Sequence, residues 1–183
     1  GIDIAALQIY GGILRGALKI SGLKSDPEFM GAASLSDADF ALPTLVPSHI
    51  IVPKTMLIMD HNKISMAESR GTVRGSYPLI VSMTAIFERW AFSRLDARIH
   101  TPKGIYCPAD VKLGNIEING LADIDLNLGL EDKMLDVTGG IAVKKTTMKL
   151  KARSLAGGSS SPQAQRKIGI RTDLNITLGD HTS

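Results

Sequence analysis

The chain has 183 residues, enough for one domain with a sizeable core and too few for two large ones. It is 44% hydrophobic but only 4% aromatic, so its apolar content is aliphatic and suits aliphatic partners better than stacked bases. The formal charge is +3, and its 21 basic and 18 acidic residues are dispersed, so there is no Lys/Arg block to hold a polyanion and no nucleic-acid partner is expected.

Along the chain, Ile4 to Ile9 is the best helix candidate, one or two turns carried by Ala5, Ala6 and Leu7. After it the periodicity becomes two, as in strands with one buried face. Leu14, Gly16, Leu18 and Ile20 share one parity, and Pro43, Pro47 and Pro53 make 42–54 an extended connection or a sheet edge, because each lacks an amide donor. Leu57 and Met59 lead to the turn Asp60-His61-Asn62-Lys63. Leu79, Val81, Met83, Ala85 and Phe87 form a longer row, and Leu95, Ala97 and Ile99 a third before Pro102 and Gly104.

Val111 and Leu113 precede Ile116 and Ile118, and Asn119-Gly120 carries the signature of a tight hairpin turn. Ile124, Leu126, Leu128 and Leu130 make the cleanest row, and Glu131-Asp132-Lys133 turns the chain. Leu135, Val137, Ile141, Val143, Met148 and Leu150 continue the pattern across Gly139-Gly140 and Lys144-Lys145-Thr146. Residues 155–167, rich in Gly and Ser, read as a flexible loop, and a final pair of runs follows at Ile168 with Ile170 and at Leu174, Ile176 and Leu178. Roughly ten to twelve short strands at near-regular spacing imply an antiparallel meander.

No catalytic or metal constellation is visible. His49, His61, His100 and His181 are scattered, with no pair spaced to share a face, and no metal site or cofactor is expected. Cys107, the only cysteine, excludes an intramolecular disulfide and a cysteine-based zinc site, and is expected as a small, half-buried residue. The Gly-Gly pairs at 11–12, 139–140 and 157–158 lack the helix and lysine of a phosphate loop and read as bulges or turns. Asp123 and Asp125 alternate with Ile124 and Leu126, as acids on a solvated outer face do. Trp90 reads first as core or edge filling and second as a binding anchor, and Asn175-Ile176-Thr177 fits the glycosylation pattern, which matters only in a secretory context. No apolar run reaches the ~20 residues a bilayer crossing needs, and no signal peptide is legible. The expectation is a soluble piece of a longer chain, with residues 1–183 forming one β-rich domain.

A sheet with one apolar face must be covered by helices or a second sheet, or must curl on itself. With no helices to cover it, this chain is expected to form an all-β, curved, partly open antiparallel sheet, a half-barrel with a hydrophobic concave face. Small inward residues (Gly16, Ala33, Ala85, Ala97) leave a trough that holds acyl chains or, along an open edge, a foreign strand. The groove-lining candidates are Leu79, Val81, Met83 and Phe87 with Ile124, Leu126, Leu128 and Leu130. A charge on that row, as in Leu126→Asp or Val81→Arg, is expected to abolish cargo binding, and the same change at Asp125 or Ser82 to do little.

The stretches Gly31-Ala-Ala-Ser-Leu-Ser-Asp-Ala-Asp-Phe-Ala-Leu-Pro43, Met56-Leu-Ile-Met-Asp-His-Asn-Lys-Ile-Ser-Met66 and Gly71-Thr-Val-Arg-Gly75 resemble the strand cadence of TamB and AsmA-like proteins. Leu135-Asp-Val-Thr-Gly-Gly-Ile-Ala-Val-Lys-Lys-Thr-Thr-Met-Lys-Leu150, a polar loop and Asp173-Leu-Asn-Ile-Thr-Leu-Gly-Asp180 are similar to the conserved-domain portion of TamB. The resemblance is a cadence of strands over about two thirds of the chain. It implies a parent protein anchored in the inner membrane and spanning the periplasm of a Gram-negative type bacterium. It also implies an outer-membrane Omp85-family barrel as partner, and lipid acyl chains or unfolded outer-membrane protein strands as cargo. It carries over no catalytic residues, so the chain is expected not to be an enzyme. The alternatives are a purely structural β-repeat module of a surface or adhesin protein with a dry interior, and an enzyme on a β-solenoid or jelly roll, which would need a convergent polar cluster.

Overall fold

A computed structural model of the chain describes residues 8–23, 26–42, 46–89, 91–113, 116–150 and 169–178. Among them the period-two apolar pattern makes strands throughout and no helix: β1 (Gln8–Leu23), β2 (Asp26–Leu42), β3 (Val46–His61), β4 (Lys63–Val73), β5 (Tyr77–Glu88), β6 (Ala91–His100), β7 (Cys107–Leu113), β8 (Ile116–Glu131), β9 (Met134–Leu150) and β10 (Gly169–Leu178). They form one open, curved sheet ordered β1-β2-β3-β4-β5-β6-β8-β9-β10, with β7 paired to β8. The expected helix at 4–9 is corrected where described, since Gln8 and Ile9 belong to β1 and 4–7 lie outside the described residues. The flexible-loop expectation for 155–167, the Gly157-Gly158 pair, Trp90 and His181 likewise lie outside them.

Tight turns need backbone in the left-handed region, and short polar residues supply it. His61 (φ 54°) lies between the paired Asp60 and Lys63, and Asp132 (φ 47°) and Lys133 (φ 63°) lie between the paired Glu131 and Met134, both where the sequence signals a turn. Asn119-Gly120 is different. The reversal falls between Leu113 and Ile116, which pair across it, so Asn119 and Gly120 sit inside β8. There the β8–β9 register shifts between Asn119 and Leu121, opposite Lys144 and Thr147, so both polar breaks read as turns are absorbed into one irregularity between long strands. Gly139-Gly140 is also no turn or bulge, because β9 runs through it in unbroken register with β8. Gly11-Gly12 is the bulge expected, with register shifts on either side of Gly11.

β6 and β7 are two halves of one interrupted strand. β6 pairs with β8 as far as His100↔Asp125, and β7 resumes at Cys107↔Ala122. Residues 101–106 leave the sheet between them. Thr101 closes the gap: its amide donates to the Ile124 carbonyl at 2.9 Å, and its Oγ1 accepts from the Ile124 amide at 3.1 Å, so no backbone group of Ile124 is stranded.

Pro43 lies outside the described residues, Pro47 is the second residue of β3, and Pro53 sits within this central strand rather than ending it. Pro53 is exposed in β3, where pairing with β4 opens between Ile51↔Thr72 and Leu57↔Met66, so no ladder bond is asked of its missing amide. Inside that opening the Thr55 hydroxyl is hydrogen-bonded to Ser69, and Ser69 in turn donates to the Ala67 carbonyl at 2.8 Å, so the two buried hydroxyls are satisfied.

The meander expectation fails at its last step. β9 and β10 are parallel, Gly169↔Met134 through Leu178↔Val143. Parallel neighbours need a connection of a dozen or more residues, and the chain provides it between Leu150 and Gly169.

Registers of neighbouring strands align apolar residues into rows across the sheet. One runs Ala33–Leu57–Met66–Met83–Ala97–Leu128–Val137, the next Val81–Ile99–Leu126–Gly139. These parities are buried, and Ile50, Leu79, Ile99, Ile124 and Leu126 are fully so. Each such side chain contributes about 1.5–3 kcal/mol relative to exposure. Curvature lets one sheet bury its own face: β7, which continues the place of β6 in the sheet, touches β3 although β4 and β5 lie between them.

Candidate binding cavity

Where the rows carry alanine or glycine instead of leucine, the curled sheet cannot fill its interior. The result is a cavity of about 490 Å³, within the range of small-molecule sites. One wall is Val81 and Met83 of β5, Leu95, Ala97 and Ile99 of β6, and Leu128, Leu130 and Leu135 of β8 and β9. Leu35, Ala38 and Phe40 of β2 and Ile9 to Gly12 of β1 face it from the other end of the sheet, with Val52 and Met66 between. Ala97 sits between Met83 and Leu128 in its row, and Ala38 and Gly12 stand across the space. Of the lining residues only Asp39 and Tyr10 have polar side chains.

The eight residues singled out from the sequence divide into three groups. Val81, Met83, Leu128 and Leu130 line the cavity. Leu79, Ile124 and Leu126 are buried at 1%, 1% and 0% exposure and belong to the packed core rather than to its walls. Phe87 lies past the end of the core, where its ring meets Phe92 edge-on at 6.0 Å. Parity alone does not reveal the contributions of Leu35, Phe40 and Met66, which depend on how far the sheet curls. Leu95, Ala97 and Leu135 were visible as row members, though not as walls.

Polar residues gather on the opposite parity and neutralise one another. Arg98 donates two hydrogen bonds to Asp125 at 2.9 Å each, Arg171 two to Asp136 at 2.7 Å, and Arg94 engages Asp96. The Arg98 guanidinium holds the Asp125 carboxyl below the usual carboxylate range, despite some desolvation. Asp123 accepts from Thr101, so both acids expected on a solvated face are engaged by neighbours. Near the cavity, His49 Nδ1 lies 2.8 Å from Asp39, and the Tyr10 ring stacks on His49 at 4.3 Å. His100 Nε2 is buried without a hydrogen bond, with the Glu68 carboxylate 3.8 Å away.

Cys107 is fully buried rather than half-buried, and burial pushes its thiol up to about 11, with the Asp123 charge adding to the rise. Among the described residues no three His, Cys, Asp or Glu side chains gather as a metal site would need, and no helix is long and apolar enough to cross a membrane. What the cavity offers chemically is aliphatic carbon. Compared with known proteins, the chain matches no protein-family model, no curated protein and no solved structure.

Proposed function

We propose that the chain is a non-catalytic segment of a periplasm-spanning envelope-biogenesis protein whose aliphatic cavity holds the acyl chain of a phospholipid. The observation that carries the reading is the lining: a space of about 490 Å³ walled, apart from Tyr10 and Asp39, by Gly and by Ala, Val, Ile, Leu, Met and Phe side chains of a sheet whose strands already pair with one another. Burying about ten methylenes there is worth ~8 kcal/mol before the cost of association. A polypeptide inside the same space would carry amide and carbonyl groups to walls without partners for them, at a cost of about 1–3 kcal/mol for each unpaired group. An acyl chain has no such groups. The envelope setting, an inner-membrane anchor on the parent protein and an Omp85-family barrel as partner are supported by the strand cadence of the sequence.

The test is lipid extraction and native mass spectrometry of the purified chain, followed by photo-crosslinking from Val81 and Leu128, which line the cavity, and from Leu126, which does not. Co-purifying phospholipid that crosslinks at Val81 and Leu128 but not at Leu126 supports the reading. A lipid-free protein that takes up no phospholipid from vesicles makes the chain a structural module instead.

A further inference from the structure

The outer face of the sheet, turned away from the cavity, is divided by charge. Across β6 to β10 its arginines are tied, Arg94 to Asp96, Arg98 to Asp125 and Arg171 to Asp136. Across β1 to β4 it carries Arg15, Lys19, Lys54 and Lys63, and none of these forms an ion pair with another described residue. Of the acids beside them, Asp60 is engaged by His61 at 2.7 Å and Asp39 by His49 at 2.8 Å, which leaves Glu28 and Asp37 against four cations. Register places an apolar cluster among the cations. Ala17 pairs with Ala32 and Ala32 with Ile58, while Met30 lies in the neighbouring row Lys19–Met30–Asp60–Lys63 and Met56 in the row Arg15–Ser34–Met56 on the other side. Met30, Met56 and Ile58 are 49%, 50% and 55% exposed, whereas Ala33 and Leu57, of the opposite parity, are buried. This face does not depend on what pairs with β1, because a strand added there extends the sheet in its own plane and side chains stand perpendicular to it.

Charge specifies the occupant. A second copy presenting the same face would set cations against cations, which costs affinity. An anionic bilayer answers both parts of the surface at once. Its acyl boundary takes short apolar insertions such as Met and Ile, and its phosphates meet Lys and Arg on stems long enough to reach them. We propose that the outer face of β1 to β4, centred on Met30, Met56 and Ile58 and ringed by Arg15, Lys19, Lys54 and Lys63, docks on the surface of an anionic phospholipid bilayer. Long-range attraction brings the face to the bilayer, and shallow insertion of the three exposed side chains holds it there. The docking does not rest on what the cavity holds, since the cavity opens on the other face of the sheet.

The experiment uses the full 183-residue chain and co-sedimentation with vesicles of phosphatidylcholine, alone or with about a third phosphatidylglycerol. Expected is binding to the anionic vesicles roughly tenfold or more tighter than to the neutral ones, weakening with salt. Joint Lys54→Glu and Lys63→Glu exchange, at exposed positions, should weaken that binding about twentyfold or more while leaving the far-ultraviolet spectrum unchanged. A nitroxide attached at Ile58→Cys should become shielded from an aqueous relaxation agent when anionic vesicles are added. One attached at Thr138→Cys, exposed on the same face over β9, should stay accessible, and the native Cys107 is too buried to take the label. Met83→Arg, on the cavity wall, should leave the docking intact, so that failure of the cavity reading and failure of this one are told apart. Equal binding to the two kinds of vesicle, undiminished binding by the Lys54 and Lys63 variant, or equal shielding at Ile58 and Thr138 overturns the proposal. So does binding to neither vesicle, which makes an acidic protein the partner of this face.

Discussion

Leu126→Ala measures how much of the molecule depends on the curled sheet burying its own face. Leu126 is 0% exposed, with Ile99 of β6 on one side of its row and Gly139 of β9 on the other. Gly139 has no side chain to move into the space, and its φ of 130° with the Asp125 carbonyl pressed against it keeps it glycine. The site therefore collapses poorly, and truncation should cost about 3–5 kcal/mol, the upper part of the range for leucine truncations. Leu14→Ala removes the same atoms from a side chain 56% exposed on β1 and should cost well under ~1 kcal/mol. Urea unfolding followed by circular dichroism is the assay. With a slope of about 3 kcal/mol per molar, Leu126→Ala should move the midpoint down by more than ~1 M without changing the slope. Equal shifts for the two variants would refute the assignment of the buried face.

Other outcomes follow from single contacts. Met83→Arg, on the cavity wall but only partly buried, should abolish phospholipid uptake while Ser82→Arg leaves it intact; Met83 is a better probe than Val81, which at 4% exposure would trap an unpaired charge and risk the fold. Lys133→Gly relieves a left-handed lysine in the β8–β9 turn and should stabilise the chain by about 1 kcal/mol in thermal unfolding. Because Arg98 lowers the folded-state pKa of Asp125, the pair's contribution is present above the unfolded value of ~3.9 and lost as pH falls through the folded one. The stability gap between the native chain and Arg98→Ala should therefore be a fraction of 1 kcal/mol at neutral pH and close in acid, with the Asp125 titration moving up in the variant. Cys107, fully buried with its thiol at about 11, should react with a disulfide reagent only as fast as the sheet opens.

Strands were legible because burial of one face imposes a period of two on every strand regardless of tertiary detail. Ile124 to Leu130 and Leu79 to Ala85 were therefore readable from the residues alone. Turns were legible where the local residue decides the backbone, as at His61 and Asp132. Asn119-Gly120 misled because the same residues that fit a hairpin also fit an irregularity inside a long strand, and the pairing partner decides between them. Pro47 and Pro53 misled in the opposite direction. β3 keeps its central place because Asp37 (φ 52°) and the opened β3–β4 ladder accommodate the missing amide of Pro53. The cavity was the least legible feature. Leu126 and Leu128 are identical in type and parity and share the buried core cluster, yet only Leu128 borders the cavity, a difference set by how the sheet curls and not by the residue or its parity.

The parallel step at β9–β10 also sets an order of assembly. Neighbours from β1 to β5 and the β8–β9 pair meet across connections of a few residues, whereas Arg171 must find Asp136 across a separation of 35. Closing the longer loop costs about 2 kcal/mol more in chain entropy than closing a three-residue one. Formation of the β10 ladder should therefore lag the hairpins, and its amides should exchange first from the native state. Until β10 arrives, the outer strand on that side is β9, with its Met134 to Val143 ladder unmet. A newly made chain thus passes through a stage in which β9 is the outer strand on that side, and the slow docking of ten residues moves that edge to β10, where Arg171 and Asp173 stand.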